Sequence, residues 1–126
     1  MGLNFNFLEN SNPNLYELGS KMEENMFTDS VASIQYGSDF LNQMIKEIYR
    51  KEGMDYVYKS FFVKNISNLE REGIINHQTY NLLEKAKLLR DYSIENGSTN
   101  RALALRSILV NLAAWFFNKY VKGINN

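Results

Sequence analysis

An all-α bundle of four to five helices is the fold this chain predicts, and three observations predict it. Apolar residues recur at three- and four-residue steps along most of its 126 residues. The period-two alternation of strands is hardly present: Phe5 and Phe7 are the one hint, and an N-terminal arm lying on a bundle explains them equally well. Glycines and small polar residues divide the periodic stretches into pieces of helical length.

The first helix is expected over residues 13–27. Asn12 suits the N-cap and Pro13 the first helical position. Leu15, Leu18, Met22 and Met26 form one apolar stripe, and Gly19 leaves room for a neighbour to approach. The second helix, residues 30–52, starts through Thr28, Asp29 and Ser30. Val31, Ile34, Phe40, Leu41, Met44, Ile45 and Ile48 supply its core face, Arg50 and Lys51 suit the dipole of its last turn, and Gly53 stops it. The third, residues 58–72, offers Phe61, Phe62, Ile66 and Leu69 for burial and ends at Gly73. Ile74, Ile75 and Asn76 lead into the fourth, residues 77–96, whose inward set is Leu82, Leu83, Ala86, Leu89 and Ile94, with Gly97 as C-cap. Ser98 or Thr99 caps the last helix, which runs to Val121 and carries the strongest stripe: Leu105, Ile108, Leu109, Leu112, Trp115, Phe116 and Tyr120. Short connections make consecutive helices antiparallel neighbours, with the third short and crossing. The expected organisation is one domain over residues 1–126, with an arm at 1–11, the bundle at 12–122 and a tail at 123–126.

Composition excludes several classes of function. Lys and Arg number 14, as do Asp and Glu, so a basic footprint for nucleic acid is missing at the level of the whole chain. The absence of cysteine rules out a disulfide framework and thiolate metal sites. The longest apolar stretch, residues 108–117, falls short of the roughly 20 residues that span a bilayer, and it contains Asn111. No basic residue precedes the first apolar positions, so neither a signal nor a transit peptide is read there. The expectation is an unanchored cytoplasmic protein without a cofactor.

Candidate chemistry is sparse. A lone His77 at a helix start reads as a solvated polar residue, because zinc needs several nitrogen or sulfur ligands. Of the acidic pairs Glu23/Glu24, Glu70/Glu72 and Asp91/Glu95, only the last has the i,i+4 spacing that puts both groups on one face. With Lys87 one turn earlier, it reads as a charged row on the surface. Arg90, Arg101 and Arg106 flank the last interhelical turn and form the candidate basic patch. Gly97-Ser98-Thr99 resembles a helix cap more than a phosphate cradle, lacking the P-loop lysine and spacing. Tyr36, Tyr49, Tyr80 and Tyr92 are expected to be partly exposed, a placement that favours protein interfaces.

The order of several short motifs carries a resemblance. Phe5-Asn6-Phe7-Leu8 precedes Leu15-Tyr16-Glu17-Leu18-Gly19. Ser60-Phe61-Phe62 and Asn68-Leu69-Glu70-Arg71-Glu72-Gly73-Ile74-Ile75 follow, then Ala102-Leu103 and Ala113-Ala114-Trp115-Phe116. Together these resemble a HEPN-like helical domain of unknown function, found at the N-terminus of type I restriction endonuclease R subunits and related DEAD/DEAH-box helicases. The resemblance implies an all-helical fold and a prokaryotic defence setting beside a nuclease and helicase motor. It also implies Arg-x-x-Gly-Asn-x-x-x-His on the fourth helix, where this chain has Lys87, Arg90-Asp91 and Glu95. On the second helix it implies an Arg with a Glu four residues on, where this chain has Gln35 and Asp39.

Those five residues, Gln35, Asp39, Lys87, Asp91 and Glu95, form the candidate polar centre. RNA cleavage without a metal needs a proton carrier near neutral pKa, which histidine supplies and glutamate does not without special tuning. Lysine also lacks the planar fork with which arginine grips phosphate. The leading expectation is therefore a non-catalytic accessory domain of a restriction or helicase system. Its partner would be a helicase or nuclease subunit, with DNA as a further ligand. Two alternatives stay open: a self-associating interaction protein that dimerises through the last two helices, and a residual ribonuclease that uses Glu95 and Arg90.

Overall fold

Small polar residues start four of the five described helices, and glycines in left-handed backbone close the second and third. The computed structural model describes residues 4–56, 61–93 and 98–123, apart from the side chains of Tyr92 and Ser93. A single 3-10 turn, Asn6–Leu8, precedes α1 (Pro13–Asn25), α2 (Ser30–Lys51), α3 (Phe62–Arg71), α4 (His77–Ser93) and α5 (Thr99–Tyr120). Asp29 Oδ1 accepts from Ala32 N at 3.1 Å, Asn76 Oδ1 from Thr79 N at 2.9 Å and Ser98 Oγ from Arg101 N at 3.2 Å, so each answers one orphan donor of the first turn. Asn12 occupies the N-cap of α1 without making that bond; its Oδ1 accepts from Ser11 Oγ at 3.0 Å instead. At the other ends Gly53 and Gly73 take φ of +67° and +76°, which closes α2 and α3 with bonds from Met54 N to Tyr49 O and Ile74 N to Leu69 O, both 2.9 Å.

The order of the helices fixes what meets what. α1 and α2 form an antiparallel hairpin in which Ser33 Oγ donates to Met22 O at 2.7 Å. α2 and α5 run parallel: Gly37 meets Leu105 toward one end, and Glu52 accepts from Tyr120 at the other. α4 returns antiparallel to α5, so the α3–α4 turn lies against Trp115 and Lys119. α3 crosses the end of α2, where the Tyr49 hydroxyl donates to Asn65 O at 2.9 Å and accepts from Asn68 Nδ2 at 3.2 Å.

Close approach is possible because α2 carries small residues on its inner face. A Cβ on Gly37 would sit 2.9 Å from Leu105 Cδ2 and 3.0 Å from Met22 Sδ, so α1 and α5 converge there. Around this crossing Ile34, Phe40, Leu41, Met44, Leu109 and Phe116 are buried. The N-terminal segment belongs to the same core: Phe5 is fully buried 5.0 Å from the Phe40 ring, and Phe7 meets Phe117 edge-on at 5.3 Å.

Three sequence expectations need correction. Val31 is 45% exposed, because the apolar period marks a face of α2 but not how far along it the neighbours reach. Phe61 is 56% exposed at the N-cap of α3, and Phe62 heads the inward row with Asn65, Ile66 and Leu69. Tyr49 is fully buried, since the crossing of α3 covers it and supplies partners for its hydroxyl. The third helix is described from Phe62; the expected start at Tyr58 lies outside the described residues, as do Ile94, Asn96 and Gly97 at the end of the fourth. Among the described residues no helix is long and apolar enough to cross a membrane.

Candidate functional site

The charged positions singled out on α4 converge on one carboxylate. Residues 87 and 91 stand one helical turn apart, so Lys87 Nζ reaches Asp91 Oδ2 at 2.5 Å. Arg90 Nε donates to Asp91 Oδ1 at 3.0 Å. Arg90 also bridges outward: Nη1 donates to Asn42 Oδ1 on α2 at 3.1 Å, and its guanidinium lies 5.2 Å above the Phe62 ring of α3. The side chain is only 13% exposed, so Arg90 ties three helices together. Burial pushes the Asp91 carboxyl up, but the hydrogen bonds from Lys87 and Arg90 outweigh it and hold Asp91 below the usual carboxylate range.

The remaining members of the expected polar centre do not join this group. Gln35 and Asp39 are exposed on α2, and neither is linked to Lys87 or Asp91 by a hydrogen bond or ion pair among the described residues. Glu95 lies outside the described residues. The basic candidates are likewise committed in different places. Arg101 opens α5, its N–H bound to Ser98 Oγ, and Arg106 turns to α1. His77 is 75% exposed, paired with Glu70 at 2.9 Å and stacked on Tyr80, in keeping with a solvated helix start. Among the described residues, no group of three or more His, Cys, Asp or Glu is placed to hold a metal ion.

Sequence reasoning missed a second polar cluster. Glu23 looks like half of a solvated Glu23/Glu24 pair, yet its side chain is only 4% exposed. Its Oε2 accepts from Asn4 Nδ2 at 2.6 Å and from Arg106 Nη1 at 3.2 Å, joining the N-terminal arm, α1 and α5. Its Oε1 and the neighbouring Ser20 Oγ are buried with no hydrogen-bond partner among the described residues. No local signal marks this pair, because Arg106 is 83 residues away.

Comparison with known proteins finds no matching family model, no matching curated protein and no matching solved structure.

Proposed function

We propose that this chain is a non-catalytic helical accessory domain of a prokaryotic restriction or helicase-type defence system, acting through contact with a motor or nuclease subunit. The observation that carries the reading is the closure of the α4 row. Asp91 takes both Lys87 and Arg90, and Arg90 is further held by Asn42 and Phe62. A cation committed on every side braces helices; it does not present a free fork to a scissile phosphate. The ordered resemblance to HEPN-like domains supplies the setting, and the replacement of its Arg and His by Lys87 and Glu95 removes the usual proton carrier.

The self-association alternative receives less support, because much of the aromatic stripe of α5 packs within the chain. Phe116 is buried, Phe117 packs on Phe7, and Trp115 and Tyr120 meet each other edge-on at 6.1 Å.

An RNA cleavage assay on wild type, Arg90→Ala and Glu95→Ala tests the non-catalytic part. The same background in all three is expected; activity that disappears in either variant refutes it. Co-purification with the product of an adjacent helicase or nuclease reading frame tests the accessory part.

A further inference from the structure

The geometry points to a binding site for a small organic carboxylate in the cleft between the α3–α4 turn and the last turns of α5. This inference stands apart from the accessory reading and uses none of the residues on which that reading rests. Gly73, Ile74, Ile75, Asn76, Trp115, Asn118 and Lys119 line a cavity of about 340 Å³. That volume is near the lower bound, about 300 Å³, of pockets that take small molecules. It suits a ligand of one or two rings rather than a nucleotide.

The lining has two kinds of surface. Ile74, the buried Ile75 and the Trp115 indole supply apolar wall. Its polar side chains can all donate: the ammonium of Lys119, the NH2 groups of Asn76 and Asn118, whose amides also carry an acceptor oxygen, and the indole N–H of Trp115. Asn76 already uses its Oδ1 to cap α4, which leaves its amide N–H groups to donate elsewhere. Lys119 makes no ion pair among the described residues; its one described partner is the face of Tyr120, 5.7 Å away.

Among the described residues, no carboxylate lines the cleft. The acids nearest in sequence to the α3–α4 turn are occupied, Glu70 with His77 and Glu72 with Arg71. Glu52, from the end of α2, accepts from Tyr120 at 2.6 Å. One lining cation, Lys119, beside neutral donors matches a monoanion, since a phosphate dianion would leave charge unanswered. The apolar wall calls for a hydrocarbon body on that anion.

Two other grooves lack this combination. The one between α1 and α2, about 380 Å³, is lined by Glu17 and Lys21 and so carries both signs. The one on α3, about 300 Å³, has Lys64 and Arg71, but Arg71 already donates to Asn68.

Trp115 is the only tryptophan, so its indole resonance and its fluorescence report on this cleft alone. The test is an NMR titration with benzoate, phenylacetate and indole-3-carboxylate, each matched with its neutral primary amide. At least one acid should shift the Trp115 indole, Ile75 and Asn118 signals saturably and bind at least fivefold tighter than its amide. Lys119→Gln should bring that acid-to-amide ratio close to one while the thermal melt stays in place. Absence of saturable shifts with all three acids overturns the assignment, as does equal binding of acid and amide, or a preference that survives Lys119→Gln.

Discussion

Removing the Arg106 guanidinium leaves the Glu23 carboxylate buried with only Asn4 to answer its charge. A fully buried pair that loses one partner costs roughly 3–5 kcal/mol. Arg106 is 29% exposed, so its truncation to methionine should cost less, about 2–3 kcal/mol in urea unfolding. Glu23→Gln in the Arg106→Met background should recover a large part of that loss, because a neutral amide needs no counter-charge. If Arg106→Met proves neutral, the attraction does not exceed the desolvation it requires. The sequence shows little at this scale. Periodicity gives the inward apolar residues, but it does not show that Glu23 is buried while Glu24 is exposed, nor which distant cation answers it. Tyr49 is hidden for the same reason: its burial is decided by a helix that crosses from elsewhere in the chain.

Between elements, the contact of the N-terminal arm with α1 reverses an ordinary helix rule. Alanine normally stabilises a helix interior over glycine by about 1 kcal/mol. At residue 19 the new Cβ would lie 2.5 Å from Phe5 Cγ and 2.6 Å from Cδ2, inside a ring fixed against Phe40. Gly19→Ala should therefore destabilise by about 1–3 kcal/mol, the usual range for overpacking. It should also loosen the arm, raising hydrogen exchange at the Leu8 and Asn12 amides, which bond to Phe5 O and Leu8 O. In a Phe5→Ala background the clash is gone, and the same Gly19→Ala change should become stabilising. A destabilising effect of equal size in both backgrounds would count against the steric account. Helix ends were largely legible in the sequence, because Pro13, Asp29, Gly53, Gly73 and Ser98 act locally. At Phe61 and Val31, by contrast, what decides exposure is the reach of a neighbouring helix. The candidate site was legible only as the Lys87–Asp91 row, since helical spacing fixes that pair; the Asn42 and Phe62 partners of Arg90 follow from the packing of three helices.

Across the whole molecule, stability against pH is bounded by carboxyls on the acid side and a phenol on the alkaline side. Near the end of α4 the Asp91 carboxyl lies below its ordinary value, because the bonds from Lys87 and Arg90 outweigh the opposing effect of burial. Glu47 is also lowered, first by its bond from Arg50, with burial opposing. A carboxyl depressed in the folded state contributes stability that is present above its unfolded pKa of about 4 and is lost as pH falls through the folded value. At the end of α5 Tyr120 is raised, first by burial and then by its hydrogen bond to Glu52. A raised phenol works in the opposite sense: its contribution is present below the unfolded value of about 10 and is lost as pH rises beyond it, because the unfolded chain ionises first. The melting temperature should therefore vary little from about pH 5 to about pH 9 and fall on both sides. Single substitutions separate the two limbs. Asp91→Asn should make the acid limb shallower, leaving the part that Glu47 contributes, and leave the alkaline one unchanged. Tyr120→Phe should lose about 1 kcal/mol at neutral pH with its bond to Glu52, yet decline less steeply than wild type above pH 10, because the phenol that ionises on unfolding is gone. Parallel alkaline limbs in wild type and Tyr120→Phe would show that Tyr120 does not set that boundary, and would shift attention to Tyr56, which burial also raises.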